Sequence, residues 1–325
     1  MSLNQLYMEA LIEERVIISK QGLDKKMTQQ ASDFMRLLLE KQMSNKIISF
    51  VNPDIFKPFK RVLIKDSTKF DLPESLSHSF PGFGRSASPT NACIQYEFDL
   101  KSPAIVDLDI TPGRKNDSSD ASDKTGNIES GNLIVRDLGY YSLSVLTAVE
   151  EANAFYLSKL CSKTKVYEFV YEDVYQELQM KKLYGTMKKN NTSQLEKEVF
   201  TGKEKMPVRL IVTLVPEQVK EERIRKREKE NKKRGSKTTD EFKARAGLNL
   251  FITNVETEKL PSEAILQLYR LRWQIELVFK TWKSIFNLHT VHSMKVERFK
   301  CLLYSRLLFY MYLLGNGHAV PQQIV

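Results

Sequence analysis

The chain has 325 residues, enough for two or three domains and a sizeable core, and its 42% hydrophobic content is that of a folded chain rather than a disordered one. The net charge of +10 favours a polyanionic partner, either nucleic acid or an acidic membrane face. Three scattered cysteines, Cys93, Cys161 and Cys301, with no C-x-x-C pair, argue against a thiolate zinc site and against a disulfide scaffold.

The first residues, MSLNQLYMEALIEERVI, carry acids where a signal peptide needs bases and an unbroken apolar run. The longest apolar stretch, Cys301 to Leu314, contains Arg306 and is shorter than the roughly 20 residues of a membrane span. The expectation is a protein of the reducing cytoplasm without a membrane span.

Residues 1 to about 50 read as helical. Leu3, Leu6, Tyr7, Ala10 and Leu11 recur at helical spacing, as do Phe34, Leu37, Leu38 and Lys41, with breaks at Gly22 and Thr28. The segment is either a small helical bundle or a domain that grips DNA ends. Pro53 and Pro58 mark a boundary. Strand signals follow at Arg61–Lys65, Cys93–Leu100 and Ala104–Ile110, with Ser102-Pro103 as a turn. Gly82-Phe-Gly84 is too short for a phosphate-binding loop and reads as a turn.

Thr111 to Ser130 is polar and reads as a loop, or a loop with a weak helix. Asn132–Arg136 is another short strand, and Ser142–Ala154 is helical. This order suggests a mixed sheet flanked by helices. From Phe155 to about Leu250, strand-like pieces (Lys165–Val170, Val208–Val215) alternate with very polar ones. Lys220 to Arg234 holds nine basic and four acidic residues, so it is either a solvated, partly mobile arm or a phosphate-contacting surface. Leu250–Val255 is strand-like, and a long helix begins near Pro261, a residue suited to a first helical turn.

That helix carries the most informative segment, Leu268 to Lys283. At roughly 100° per residue, Tyr269, Arg272, Glu276 and Lys283 fall within about 60° of one another. Leu271, Ile275, Val278 and Trp282 group on a separate, core-facing side. A solvated face is the usual meaning of charges on a helix. This mixture also suits phosphate chemistry: a carboxylate for metal, cations and a phenol for phosphates.

One carboxylate does not make a two-metal site, which needs several converging acidic oxygens. Asp66 follows Val62-Leu-Ile-Lys65, and Asp137 follows Leu133-Ile-Val-Arg136. Each ends a short apolar strand, where a carboxylate can face a cleft. Asp107 and Asp109 compete, but they alternate with Val106, Leu108 and Ile110 and more simply form the solvent face of a strand. His289-Thr-Val-His292 reads as ordinary polar histidines, with no third ligand nearby. Trp282 reads as packing; Trp273, nearer the polar stripe, could stack on DNA.

Tyr269, Arg272, Glu276 and Lys283 reproduce the spacing Y-x2-R-x3-E-x6-K, and the chain thereby resembles the DDE transposases of the bacterial insertion-sequence-four group. Asp66-Ser-Thr is similar to the first aspartate motif of that group, Arg136-Asp137-Leu-Gly-Tyr140 to the second, and Ile252-Thr-Asn254 to the segment before the glutamate helix. The resemblance covers roughly residues 10 to 315. Arg136 stands where the family often has a small residue. The family commonly continues further past the glutamate helix, so part of a C-terminal dimerisation region is expected to be missing here.

The resemblance implies an α/β, ribonuclease-H-like mixed sheet with flanking helices, a helical N-terminal domain and a β-rich insertion. The implied divisions are a helical DNA-binding domain at 1–55, the first part of the catalytic domain at 56–155, the insertion with its basic arm at 156–250, the glutamate helix at 251–300 and a C-terminal helical segment at 301–325. It further implies two Mg²⁺ ions, with Mn²⁺ an alternative, held by Asp66, Asp137 and Glu276. Tyr269, Arg272 and Lys283 would contact DNA. The implied partners are double-stranded DNA with terminal inverted repeats and a second copy in a synaptic homodimer, and the implied activity is end cleavage and strand transfer. A stand-alone nuclease of the same fold and a truncated, DNA-binding inhibitor are the alternatives.

Overall fold

The computed structural model describes residues 3–12, 17–42, 53–84, 88–102, 104–284, 287 and 289–315. The chain is mixed α/β, and it divides into two compact units that are each assembled from separate stretches of sequence.

The first unit comprises residues 1–51, 63–116 and 274–325. Strands β1 (Val62–Asp71), β2 (Asn91–Asp99) and β3 (Ala104–Pro112) pair antiparallel in the order β3-β2-β1. The period of two along these strands gives the sheet two different faces. Ile64, Asp66, Thr68 and Phe70 share one face with Phe98, Tyr96, Ile94 and Ala92, their register partners. Helix α10 (Trp273–Ser284) packs on that face: the Tyr96 ring meets Trp282 at 5.5 Å and Phe279 at 6.1 Å, both near edge-on. Phe70 of the same face meets Phe299 of α11 (Val296–Gly315) at 6.4 Å. Trp282 is fully buried, as its place on the apolar stripe predicts. Helices α1 (Leu3–Ile12), α2 (Lys20–Lys26) and α3 (Gln29–Gln42) lie in the N-terminal stretch that reads as helical, of which 13–16 and 43–50 fall outside the described residues, and α3 packs against α11 and β3.

The other face is polar, with Lys65, Glu97 and Asp107 in one row across the three strands. The alternation had suggested that Asp107 merely meets solvent. Instead it pairs at 3.0 Å with Lys65, whose side chain is wholly buried. An ammonium at that depth needs an opposing charge, which the period of two cannot reveal.

The second unit comprises residues 52–62 and 117–273. Strands β4 (Leu133–Arg136), β5 (Phe155–Lys159), β6 (Val166–Tyr171), β7 (Val174–Glu177), β8 (Gln194–Thr201), β9 (Met206–Leu214) and β10 (Leu248–Thr253) lie in the order β4-β5-β10-β9-β8-β6-β7. Among the described pairings within this unit, β4 and β5 are parallel and the rest antiparallel. Their crossover is α5 (Leu143–Glu151), which buries Val145, Leu146 and Val149, as parallel pairing requires. The core gathers Tyr156, Leu210, Val212 and Ile252 among others.

The polar stretches of this unit are more ordered than their composition suggests. Thr111–Ser130 contains α4 (Asp117–Asp123), where Asp120 is fully buried and pairs with Lys124 at 3.3 Å. The stretch from Phe155 to Leu250 contains α6 (Met180–Lys189), α7 (Glu217–Arg234) and α8 (Asp240–Ala246). Helix α7 is the basic run, so that run is not a loose arm. Gly235 caps it in the left-handed region (φ 65°), where a side chain would be strained. Buried Asn231 ties its end to Thr238 at 2.9 Å, and Arg223 reaches from its middle to the main-chain oxygens of Ala246 (3.1 Å) and Leu248 (3.0 Å).

Helix α9 (Ser262–Leu271) is held at its start by a charged cluster. Arg209 of β9 donates to Glu196 of β8 through Nε (2.6 Å) and Nη2 (2.9 Å). It also donates to the oxygens of Val255 (3.1 Å) and Leu260 (2.7 Å) and to the Ser262 hydroxyl (3.0 Å). The Arg209 hydrogen bonds, joined by Ser262 and Thr257, hold the Glu196 carboxyl at about 2, below its ordinary 4.5. A lowered folded-state pKa means that the unfolded chain binds this proton more readily. The stabilisation is therefore complete above about 4.5 and is lost as pH falls toward 2. Glu196→Gln is expected to cost roughly 1–2 kcal/mol at neutral pH, a low value for a charged hydrogen bond because the site is partly exposed. Urea unfolding at pH 7 and near pH 3 should show the difference from wild type shrinking; an equal difference at both would mean that charge contributes nothing.

Candidate active site

Asp66 lies midway along β1, half-buried, and its Oδ1 accepts the main-chain N–H of Ser67 at 2.8 Å. Its sheet partner is Tyr96, the ring on which α10 packs. Glu276 stands one turn before Phe279 on α10, and residues three apart share a helix face. The first unit thus places Asp66 and Glu276 on the same side of its sheet. Lys283 donates from Nζ to the main-chain oxygen of Lys69 at 2.8 Å. It fastens α10 to the strand that bears Asp66, and burial pushes its pKa down.

Asp137 belongs to the second unit. It follows β4 directly and caps the single 3-10 turn Leu138–Tyr140, accepting the Gly139 N–H at 3.4 Å. Gly139 has no room for a side chain, because a Cβ there would lie 2.9 Å from the Asp117 carboxylate. Arg272 Nη2 stands 3.6 Å from Asp137 Oδ1; the Arg272 side chain is 11% exposed and that of Asp137 is 42% exposed. The signature arginine and the second aspartate are therefore an ion pair of one unit.

Tyr269 is buried, with its ring 5.2 Å from Phe251 and 5.8 Å from the Arg272 guanidinium. Lys159 Nζ stands 5.1 Å from the same ring. Lys159 and Asp117 were missed in the sequence. Lys159 ends a strand of unremarked composition, and Asp117 opens a helix inside a stretch that reads as polar loop.

The helix that was to carry all four signature residues is two helices. Helix α9 ends at Leu271, Arg272 closes it with an N–H to the Tyr269 oxygen at 3.3 Å, and α10 begins at Trp273. That bond spans three residues instead of four, so the helical angle drifts at this point and the single polar stripe is interrupted. Trp273 is 53% exposed. His289 and His292 are both exposed. Among the described residues, no three His, Cys, Asp or Glu side chains gather as a metal-holding group. The donor chemistry of Asp66, Asp137 and Glu276 nevertheless suits a hard divalent cation: all three offer carboxylate oxygen, and none is buried away from solvent.

No described helix is long and apolar enough to cross a membrane. The family described as "Transposase DDE domain" matches residues 57–312. The chain is 31% identical over 307 residues to the transposase for insertion sequence element IS231E of Bacillus thuringiensis subsp. finitimus, covering 90% of this chain and 64% of that protein. It is 30% identical over 305 residues to the transposase for insertion sequence element IS1151 of Clostridium perfringens, with the same coverage. Over 103 residues it is 35% identical to the putative transposase InsL for insertion sequence element IS186A of Escherichia coli (strain K12), covering 31% of this chain. The chain thus spans about 64% of the length of the IS231E and IS1151 proteins. With the aspartates and the Y-x2-R-x3-E-x6-K residues all lying inside the matched stretch, the chain belongs to the DDE transposase family.

Proposed function

We propose that this chain cuts DNA at transposon ends and joins the freed ends to a target, using divalent cations held by Asp66, Asp137 and Glu276. The observation that carries the reading is the Arg272–Asp137 pair, which links the signature helix to the second aspartate strand. Mg²⁺ is the expected ion, two per site, with Mn²⁺ as a substitute. When bound, such a pair of ions supplies Lewis-acid activation of water or a DNA 3′-hydroxyl and stabilisation of the leaving oxygen.

The protein's own part is to position the strand. Arg272 presents a planar fork to a phosphate and holds in place the Asp137 carboxylate that would take part in binding a cation. Tyr269 supports that guanidinium from one side, and Lys283 sets α10 against β1. The proposed fold is ribonuclease-H-like. Residues 1–55 are the DNA-binding domain, 56–155 and 251–300 the catalytic domain, 156–250 the strand-rich insertion and 301–325 the C-terminal segment. Double-stranded DNA with terminal inverted repeats is the substrate, and a homodimer is the working form.

The test is incubation of the 325-residue chain with a supercoiled plasmid carrying the DNA that flanks its gene, with Mg²⁺, Mn²⁺ or EDTA. Metal-dependent nicks with 3′-hydroxyl ends, followed by joined products, are expected. Retained binding without metal-dependent nicking would overturn the reading in favour of a DNA-binding inhibitor, and nicking without joining in favour of a nuclease.

A further inference from the structure

Within the second unit, α7, α8, β5 and β10 enclose a cleft of about 460 Å³ that the signature residues do not account for. Lys159, Arg223, Lys226, Arg227 and Arg245 line it, against the single carboxylate of Glu230. Its apolar floor includes the buried Leu160, Leu248 and Leu250, and the exposed Leu138 also lines it.

Two of these cations are held by neutral groups. Arg223 donates to the main-chain oxygens of Ala246 and Leu248 and to Asn249 Oδ1 (2.8 Å). Arg245 donates through Nη2 to the oxygens of Leu160 (3.0 Å) and Cys161 (3.1 Å). A guanidinium has five N–H donors, so each keeps donors to spare. Glu241 acts on Arg245 at longer range, but its oxygens accept the N–H groups of Met180 (2.7 Å) and Lys181 (3.3 Å). Burial pushes both guanidinium pKa values down; nothing offsets it at Arg223, and at Arg245 the charges of Cys161, Glu241 and Tyr141 offset it only in part. The rim cations pair with carboxylates of their own helix, Lys226 with Glu222 at 2.6 Å and Arg227 with Glu230 at 3.4 Å, and Arg227 also lies 5.4 Å from the Phe242 ring. Such exposed pairs are weak and exchange readily for a stronger anion.

We propose that this cleft is a binding site for the phosphodiester backbone of DNA, and that it grips the phosphates next to the cut. The position follows from the chain: Leu138, in its lining, is the residue after Asp137. A strand whose reacting phosphate lies at Asp137 brings neighbouring phosphates over the cleft, where Arg223 and Arg245 supply fixed charge and Lys226 and Arg227 close from α7. Over an apolar floor the attraction is stronger than at an open surface. This assignment rests on the DNA-processing reading given above, but it concerns binding and not chemistry.

The test is equilibrium binding of the full chain to a duplex in EDTA, so that cleavage plays no part. Lys226→Gln/Arg227→Gln alters the cleft, whereas Lys232→Gln/Lys233→Gln removes the same charge from exposed positions of α7 outside it. The log–log salt slope should fall by roughly 0.9 per lost contact in the first pair and stay near wild type in the second. Methylphosphonate linkages beside the cut should weaken wild type more than the cleft variant, which keeps only Arg223 and Arg245 among the proposed phosphate contacts. Equal slopes for the two pairs, no salt-dependent binding by wild type, or methylphosphonate sensitivity that is undiminished in the cleft variant would each overturn the site. Absence of metal-dependent nicking with these slopes intact would instead count against the transposase reading and leave the site standing.

Discussion

Glu276→Gln is expected to bind DNA ends at least as tightly as wild type and to lose metal-dependent nicking by at least on the order of 100-fold. Glutamine keeps the size of the side chain but removes the charge that a hard cation needs. Outer-shell partners of metal ligands already cost about 10–100-fold when lost, so a direct ligand sits at or beyond the top of that range. Binding survives because a negative charge near the phosphates has gone. Asp66→Asn and Asp137→Asn should behave alike, although they lie in different stretches of sequence. If Glu276 were only a surface carboxylate beside Arg272, the exposed pair would contribute about 0.3–0.5 kcal/mol and nicking would hardly change. The measurement is single-turnover nicking of the flanking-DNA plasmid beside a gel-shift titration, with folding checked by circular dichroism. A folded Glu276→Gln protein that nicks at the wild-type rate removes Glu276 from the ligand set.

The parts of the fold that were legible from sequence are those where local chemistry decides the outcome. Asp66 and Asp137 each follow short runs of buried residues, and such runs form strands whatever surrounds them. In the structure Asp137 lies just beyond its strand, whereas β1 continues past Asp66 to Asp71, because Thr68 and Phe70 keep that strand paired and buried. Helix α7 was illegible because it has no apolar face. Its order comes from Arg223 and Asn231, two polar residues whose partners lie up to 26 positions away. Tyr269 fell on a polar stripe by angle alone, yet Phe251, 18 positions earlier on β10, draws its ring inside. The break at Arg272 left no trace at all: no proline or glycine lies between Ser262 and Ser284 to announce it.

That break makes Arg272 the residue with the most divided role, and substitutions there should separate two effects of opposite sign. Its guanidinium is almost buried, stands 3.6 Å from an Asp137 carboxylate that is 42% exposed, and lies beside the Tyr269 ring. On the proposed reading, Arg272→Ala removes a charge-assisted contact to the DNA end. That loss is roughly 1.5–3 kcal/mol, a tenfold or larger weakening of binding. The same substitution removes a cation that competes with metal for Asp137. A pair with one exposed partner contributes about 0.2–1 kcal/mol, so the metal concentration for half-maximal nicking should fall by as much as about fivefold. DNA affinity therefore drops while metal affinity rises. Arg272→Lys keeps the charge near Asp137 but loses the planar fork. Its metal requirement should stay near wild type while its DNA affinity still falls. A role confined to packing at the junction of α9 and α10 gives a different pattern: both substitutions would lower the urea midpoint, and both affinities would fall together. The decisive comparison is the Mn²⁺ dependence of nicking at saturating DNA, beside DNA titrations in EDTA, for wild type and both variants. If Arg272→Ala leaves the metal requirement unchanged, the guanidinium does not compete for Asp137; if it leaves DNA affinity unchanged, Arg272 does not hold the phosphate.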